Sequence, residues 1–150
     1  MLAIGTRAPE FATTDGEGQS VDLVGLLEDG PFVLYFYPAD FTPGCTMQAC
    51  MIRDLYPELT RAGIRVFGVS RQSAYSHESF REKYRLPFRL LCDTEGALAA
   101  KYDARGLMGM TKRVSYYVDA DGHIADREES TLRIKRHEAF IERVLGRARQ

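Results

Sequence analysis

The run FVLYFY, residues 32–37, constrains the fold of this chain more than any other segment. It is aromatic and aliphatic throughout, and it is bounded by Gly30-Pro31 before it and by Pro38 after it. A strand that lacks an alternating polar face is typical of a sheet that is covered on both sides. The run therefore predicts a central strand of an α/β domain.

Helical and strand patterns alternate after this run. Beyond Pro43, apolar residues recur at helical spacing from Met47 to Leu59, until Gly63 ends the pattern. The remaining segments predict strands at 64–70 and 88–93, helices at 76–84 (N-cap Ser76), 95–102 and 135–147, a hairpin within 113–128, and a small N-terminal hairpin within 10–23. This order predicts a thioredoxin-like fold, a three-layer α/β/α domain with a mixed central sheet.

Length and charge narrow the functional classes. At 150 residues and 45% hydrophobic, the chain is the size of one domain, and we expect residues 1–150 to form a single one. The net charge of −1 provides no basic field for nucleic-acid binding. Neither a signal segment nor a run of about 18 apolar residues is present, so we expect a cytoplasmic protein with no membrane association.

The cysteines and histidines do not form a metal-binding pattern. Three cysteines are too few for a secreted disulfide framework, so reduced thiols are expected. The spacing C-x4-C is not a zinc spacing, and His77, His123 and His137 are scattered singly. We therefore expect no metal or other cofactor, and we expect each histidine to be a surface residue.

Cys45 lies at the predicted start of a helix, after a strand. Thr42 is the expected N-cap, and Pro43, Gly44 and Cys45 occupy the first helical positions. Unpaired backbone N–H groups and the positive end of the helix dipole favour a thiolate there. The alternative is a small buried side chain without chemistry, and the Thr42 hydroxyl has the alternative of capping the N–H of Cys45.

Cys50 lies five residues after Cys45 on the same predicted helix. An ideal helix places such residues about 140° apart around its axis and about 8 to 9 Å apart at Cα. A disulfide needs Cα atoms within about 7 Å, so the two sulfurs bond only if the first turns unwind. Cys50 is expected to be partly accessible, with a boundary cysteine as the alternative, and Cys92 is interpreted as structural.

The segment YPADFTPGCTMQAC, residues 37–50, resembles the peroxiredoxin family. Pro38-x3-Thr42-x2-Cys45 matches the P-x-x-x-T-x-x-C signature, and a second cysteine five residues later resembles the peroxiredoxin Q or bacterioferritin comigratory protein subgroup. The similarity extends through GTRAPEFATTDGEG, FGVSRQSAYSHESFREKYRLPFRLLCD and RVSYYVDADGHI. In that subgroup serine is common at the position of Cys92, and this departure raises the prospect of a further redox partner.

The resemblance implies a thiol peroxidase that reduces hydrogen peroxide and organic hydroperoxides. It implies that Cys45 is the peroxidatic cysteine, that Cys50 resolves its sulfenic acid as an intramolecular disulfide, and that thioredoxin or a similar dithiol protein reduces the disulfide. It assigns Thr42 to peroxide binding, Pro38 to shielding the pocket and Arg113 to the active site. The backbone amides of Gly44 and Cys45 suit the departing oxygen.

The sequence also allows two other functions. The chain is alternatively a thiol–disulfide oxidoreductase or a redox-sensing interaction domain, although C-x4-C differs from the C-x-x-C of most oxidoreductases. Met108 and Met110 are expected either to wall the pocket or to pack as ordinary loop residues. The subgroup's many monomers favour a monomer, with a weak dimer as the alternative.

Overall fold

The computed structural model describes residues 1–148, so the last two residues of the expected 1–150 domain lie outside it. Within that range the chain forms seven β-strands, five α-helices and one 3₁₀ turn. The strands are β1 (Ala12–Asp15), β2 (Ser20–Asp22), β3 (Phe32–Phe36), β4 (Arg65–Ser70), β5 (Arg89–Cys92), β6 (Val114–Val118) and β7 (Ile124–Glu129). The helices are α1 (Leu23–Glu28), α2 (Pro43–Arg61), α3 (Ala74–Tyr84), α4 (Ala97–Lys101) and α5 (Ile134–Ala148), and the 3₁₀ turn is Leu107–Gly109.

The strands form one mixed sheet in the order β2-β1-β5-β4-β3-β6-β7. β3 runs parallel to β4 and antiparallel to β6, and all five of its residues are buried. β1 pairs antiparallel with β2, which forms the N-terminal hairpin. The predicted thioredoxin-like fold, its central strand and its hairpin are confirmed.

Successive residues of β3 face two separate cores. Phe32, Leu34 and Phe36 pack in the core that α1 and α4 cover. Val33 and Tyr35 pack in the core that α2, α3 and α5 cover. The absence of polar alternation in the sequence of β3 thus follows from burial of both faces. No helix within residues 1–148 is long and apolar enough to cross a membrane.

Two local predictions are wrong, and one helix was not predicted. α3 begins earlier than predicted because its N-cap is Ser73, whose side chain accepts a hydrogen bond from the Ser76 N–H. α1 was not predicted, since it has only six residues and lacks a full helical repeat. The buried face of α2 consists of Cys45, Gln48, Ala49, Ile52 and Leu59. Met47, expected on that face, is 61% exposed.

Candidate active site

The site begins where β3 ends and α2 starts. Thr42 is the N-cap of α2, as predicted, but its hydroxyl donates to the Ala39 carbonyl at 3.0 Å and makes no capping bond. The Thr46 N–H donates to the Thr42 carbonyl at 2.8 Å. The N–H groups of Gly44 and Cys45 come before this first helical bond in the chain, so they have no acceptor within the helix and form part of its positive end.

Cys45 lies on the buried face of α2, with 1% of its surface exposed. The Nη2 of Arg113 donates to the Cys45 Sγ at 3.2 Å. Arg113 immediately precedes β6, which pairs with β3, and this register brings two residues 68 positions apart into contact. Cys45 therefore belongs to the core beneath α2, where its sulfur is buried beside a cation.

Arg113 is itself 4% exposed, and its guanidinium is held at all three nitrogens. Nη1 donates to the Gln48 Oε1 at 2.7 Å, and Nε donates to the Thr131 carbonyl at 3.1 Å. Both of these acceptors are uncharged. Since Nη2 already points at the sulfur, the side chain has one fixed orientation.

Arg113 lacks an acidic partner. Among the described residues, no carboxylate lies within ion-pair distance of its guanidinium, whereas Arg65 of β4 and Arg89 of β5 each have one. A buried charge without a partner is costly. A thiolate at Cys45 would supply the missing negative charge. Burial, together with negative charge at Cys45, raises the pKa of Tyr35 well above its usual value, so that phenol stays protonated.

Gly44 lies directly against the guanidinium. A Cβ built on Gly44 would lie 3.1 Å from the Arg113 Nη2, closer than ordinary van der Waals contact. The absence of a side chain at this position therefore allows Arg113 to reach the sulfur. Pro38, in the loop before α2, is half-buried.

Cys50 is half-buried, and both it and Cys45 are free thiols. They lie in one uninterrupted helix, as expected for a reduced pair that is kept apart by helical geometry. Cys92 is also a free, half-buried thiol at the end of β5. Burial, with the nearby charges of Asp15, Asp40 and Glu78, raises the pKa of Cys92. That shift disfavours its thiolate and agrees with a structural role.

The prediction that all three histidines are surface residues is wrong for two of them. His77 and His137 are 0% and 1% exposed, whereas His123 is partly exposed. The ring of His137 accepts from the Ser115 hydroxyl at Nδ1 and donates to the Ser130 carbonyl at Nε2. Burial lowers the pKa of His137, and the positive charge of Arg113 lowers it further.

Sequence reasoning missed three buried polar residues around the site. Gln48 was detectable, because it lies three positions after Cys45 and thus on the same face of α2. Asp40 and His77 meet only through the tertiary fold, at 2.8 Å. Met108 and Met110 are 98% and 63% exposed, so they neither wall a pocket nor pack in the loop.

Comparison with known proteins matches this geometry to a family. The model of the AhpC/TSA family matches residues 4–127. A putative peroxiredoxin bcp of Coxiella burnetii is 36% identical over 131 residues, which are 83% of this chain and 86% of that protein. The chain spans 55% to 64% of the length of the chloroplastic peroxiredoxin Q proteins of rice and Sedum lineare that it also matches.

Solved structures give the same result. The peroxidoxin BcpB of Mycobacterium tuberculosis aligns with a TM-score of 0.89 and 33% identity over 99% of this chain and 97% of that one. The bacterioferritin comigratory protein of Xanthomonas campestris, described for its alkyl peroxide reduction activity, aligns with a TM-score of 0.83 and 26% identity over 92% of each chain. The chain therefore belongs to the AhpC/TSA family and is a peroxiredoxin of the bacterioferritin comigratory protein and peroxiredoxin Q type, a thiol-dependent peroxidase.

Proposed function

We propose that Cys45 is the peroxidatic cysteine of this peroxidase. Its thiolate attacks one oxygen of the peroxide, the O–O bond breaks, and the second oxygen leaves with the bonding electron pair and is protonated. Cys45 becomes a sulfenic acid, and the peroxide becomes water or an alcohol. The contact of the Arg113 Nη2 with the Cys45 Sγ, without a carboxylate to neutralise the guanidinium, is the observation that carries this assignment.

The surrounding groups act on charge as it moves from sulfur to oxygen. Arg113 and the N–H groups of Gly44 and Cys45 are donors fixed before the reaction, so they stabilise the departing oxygen without reorganising. The Thr42 hydroxyl uses its hydrogen on the Ala39 carbonyl, which leaves its oxygen to accept a hydrogen from the peroxide. Pro38 shields one side of the site. Burial strengthens each of these interactions because it excludes water.

Cys50 is proposed to resolve the sulfenic acid. Its thiolate attacks the Cys45 sulfur, the S–O bond breaks, and the oxygen leaves as water while the disulfide forms. Since α2 keeps the two residues too far apart, its first turns must unwind before this step. A dithiol protein such as thioredoxin then reduces the disulfide. This requirement separates the chain from C-x-x-C oxidoreductases, whose sulfurs meet without unwinding.

The proposal also covers the substrate class, the cellular location and the oligomeric state. Peroxiredoxins reduce peroxides at the expense of thiols, and the alkyl peroxide reduction named for the Xanthomonas relative supports organic hydroperoxides here in addition to hydrogen peroxide. Three free thiols support a cytoplasmic location. We propose that the chain acts as one domain and as a monomer.

Intact mass and peptide mapping after one equivalent of hydrogen peroxide test the cycle. We expect wild type to lose a pair of hydrogen atoms and to yield a peptide that links Cys45 to Cys50. Cys50→Ser should stop at a Cys45 sulfenic acid that a 1,3-dione probe captures, and Cys45→Ser should consume no peroxide. Full thioredoxin-linked turnover by Cys45→Ser would overturn the proposal, and a bridge to Cys92 would reassign the resolving role.

A further inference from the structure

A buried polar network outside the reacting atoms is centred on Asp40. This residue lies in the loop 38–42, between β3 and α2, and it is 7% exposed. Its Oδ1 accepts from the Tyr37 hydroxyl at 2.6 Å, and its Oδ2 accepts from the Ser76 hydroxyl at 2.8 Å. Its backbone N–H donates to the Gln72 Oε1 at 2.9 Å. The Ser76 bond ties the loop to α3, and the Gln72 bond ties it to the segment between β4 and α3.

His77 provides the most deeply buried of these ties. Its Nδ1 lies 2.8 Å from the Asp40 Oδ2, and the two side chains are 0% and 1% exposed. Its Nε2 lies 2.9 Å from the Leu91 carbonyl in β5. A carbonyl can only accept, so Nε2 carries a hydrogen, and a proton shared between Nδ1 and Oδ2 completes the chain of bonds. One imidazole thus connects the loop to α3 and to the sheet.

The loop adopts a backbone conformation that needs external support. Phe41 has φ of 67°, in the left-handed region that side chains with a Cβ disfavour. Its ring packs against Phe80 of α3 at 5.1 Å between centroids. Such a conformation persists only where neighbours hold it. Here Asp40 is held immediately before Phe41, and the N-cap Thr42 follows immediately after it.

We propose that Asp40 and His77 are positioning residues that hold the loop 38–42 and the first turn of α2 in the reactive, helical form. In this form the Arg113 guanidinium contacts Cys45 in the helical turn that Thr42 begins. The inference rests on the proposed role of Cys45. The Asp40–His77 tie should affect the two halves of the cycle differently. Peroxide attack needs the loop to be held, whereas disulfide formation needs the first turn of α2 to open.

The test compares His77→Leu with its parent in a Cys50→Ser background, where only oxidation of Cys45 is observed. We expect the second-order rate with hydrogen peroxide to fall roughly 10- to 100-fold, since small misplacements of reacting groups cost that much. In the chain that retains Cys50, disulfide formation after oxidation should be as fast as in wild type or faster. Exchange of the Thr46 amide hydrogen should accelerate by about tenfold, since its bond to the Thr42 carbonyl closes the first turn.

Two further variants separate positioning from stability. Tyr102→Phe removes one partly buried hydrogen bond, to the Pro9 carbonyl at 2.7 Å, from a residue in the core on the opposite face of the sheet. It should change neither the peroxide rate nor Thr46 exchange. The double variant Asp40→Asn/His77→Leu removes the buried carboxylate together with its partner. Relative to His77→Leu, it should recover folding stability but not the peroxide rate.

The peroxide rate and the Thr46 exchange rate together decide the proposal. A peroxide rate and a Thr46 exchange rate within threefold of the parent would overturn it, as would recovery of the rate in the double variant. If His77→Leu does not fold, the same measurements on Ser76→Ala and His77→Gln, each of which loses part of the network, decide it. If the parent itself does not react with peroxide, the assignment of Cys45 fails, whereas the exchange of Thr46 still tests the tie.

Discussion

Replacing Arg113 with methionine removes the charge beside the reactive sulfur while keeping an unbranched side chain. The change abolishes the 3.2 Å contact with the Cys45 Sγ and the bonds to Gln48 and Thr131. We expect the variant to fold, because the site is lined by the uncharged faces of α2 and β6. Its reaction with peroxide should be slow.

The size of the loss follows from the geometry. Two unit charges separated by the observed 3.2 Å attract by about 5 kcal/mol at an effective dielectric constant near 20. As the O–O bond breaks, negative charge moves from the sulfur to the departing oxygen. Only part of this attraction therefore stabilises the transition state. Removing a single fixed donor to a developing oxyanion costs about 2.7 to 4 kcal/mol. We therefore expect the second-order rate to fall about 100- to 1000-fold.

Stopped-flow oxidation of Cys50→Ser protein by hydrogen peroxide measures this rate directly. Arg113→Lys keeps the charge but cannot reach three acceptors at once, so it should fall between wild type and methionine. Arg143→Met is the matched control, because Arg143 of α5 pairs with Asp126 of β7, away from Cys45, and its loss should leave the rate unchanged. An Arg113→Met rate within fivefold of wild type would refute electrostatic activation by this residue.

Three further predictions concern the site and the stability of the fold. Gly44→Ala should slow peroxide reduction several-fold in initial-rate assays without lowering the urea midpoint, because its Cβ would displace the Arg113 guanidinium by a few tenths of an ångström. Burial alone would raise the pKa of Asp15, but Arg89 and two backbone amides outweigh it and lower the pKa. This carboxylate thus stabilises the fold above pH ~4, and acid titration of Asp15→Asn should show less loss of stability below that pH. Burial lowers the pKa of His137, so below pH ~6.5 the unfolded chain binds a proton that the folded chain does not. The unfolding free energy of wild type should therefore fall from pH ~7.5 to ~5.5, and that of His137→Gln should fall less.

The parts of the fold that depend on local pattern were predictable. The apolar run of β3, the start of α2 at Thr42-Pro43-Gly44 and the Asp-Gly turn between β6 and β7 each act through neighbours in sequence. The position of Cys45 in the first helical turn follows from the same turn. The first helix, α1, escaped prediction because six residues contain fewer than two turns.

The parts of the site that depend on long-range pairing were not predictable from the residues alone. Arg113 was assigned through family resemblance, since only the register between β3 and β6 brings it to Cys45. His77 was taken for a surface residue because it stands alone in the sequence, without a partner residue at a recognisable spacing. Its burial becomes favourable only when Asp40 and the Leu91 carbonyl satisfy both ring nitrogens.

The exposed methionines have a practical consequence for experiments with oxidants. Met47, Met108 and Met110 are each more than half exposed, so their thioethers are open to the peroxides that a peroxidase meets. A methionine sulfoxide adds one oxygen atom, and so does a sulfenic acid, but a dithiol reverses only the latter without a dedicated reductase. A gain of one oxygen in this protein therefore identifies the cysteine product only when dithiothreitol removes it.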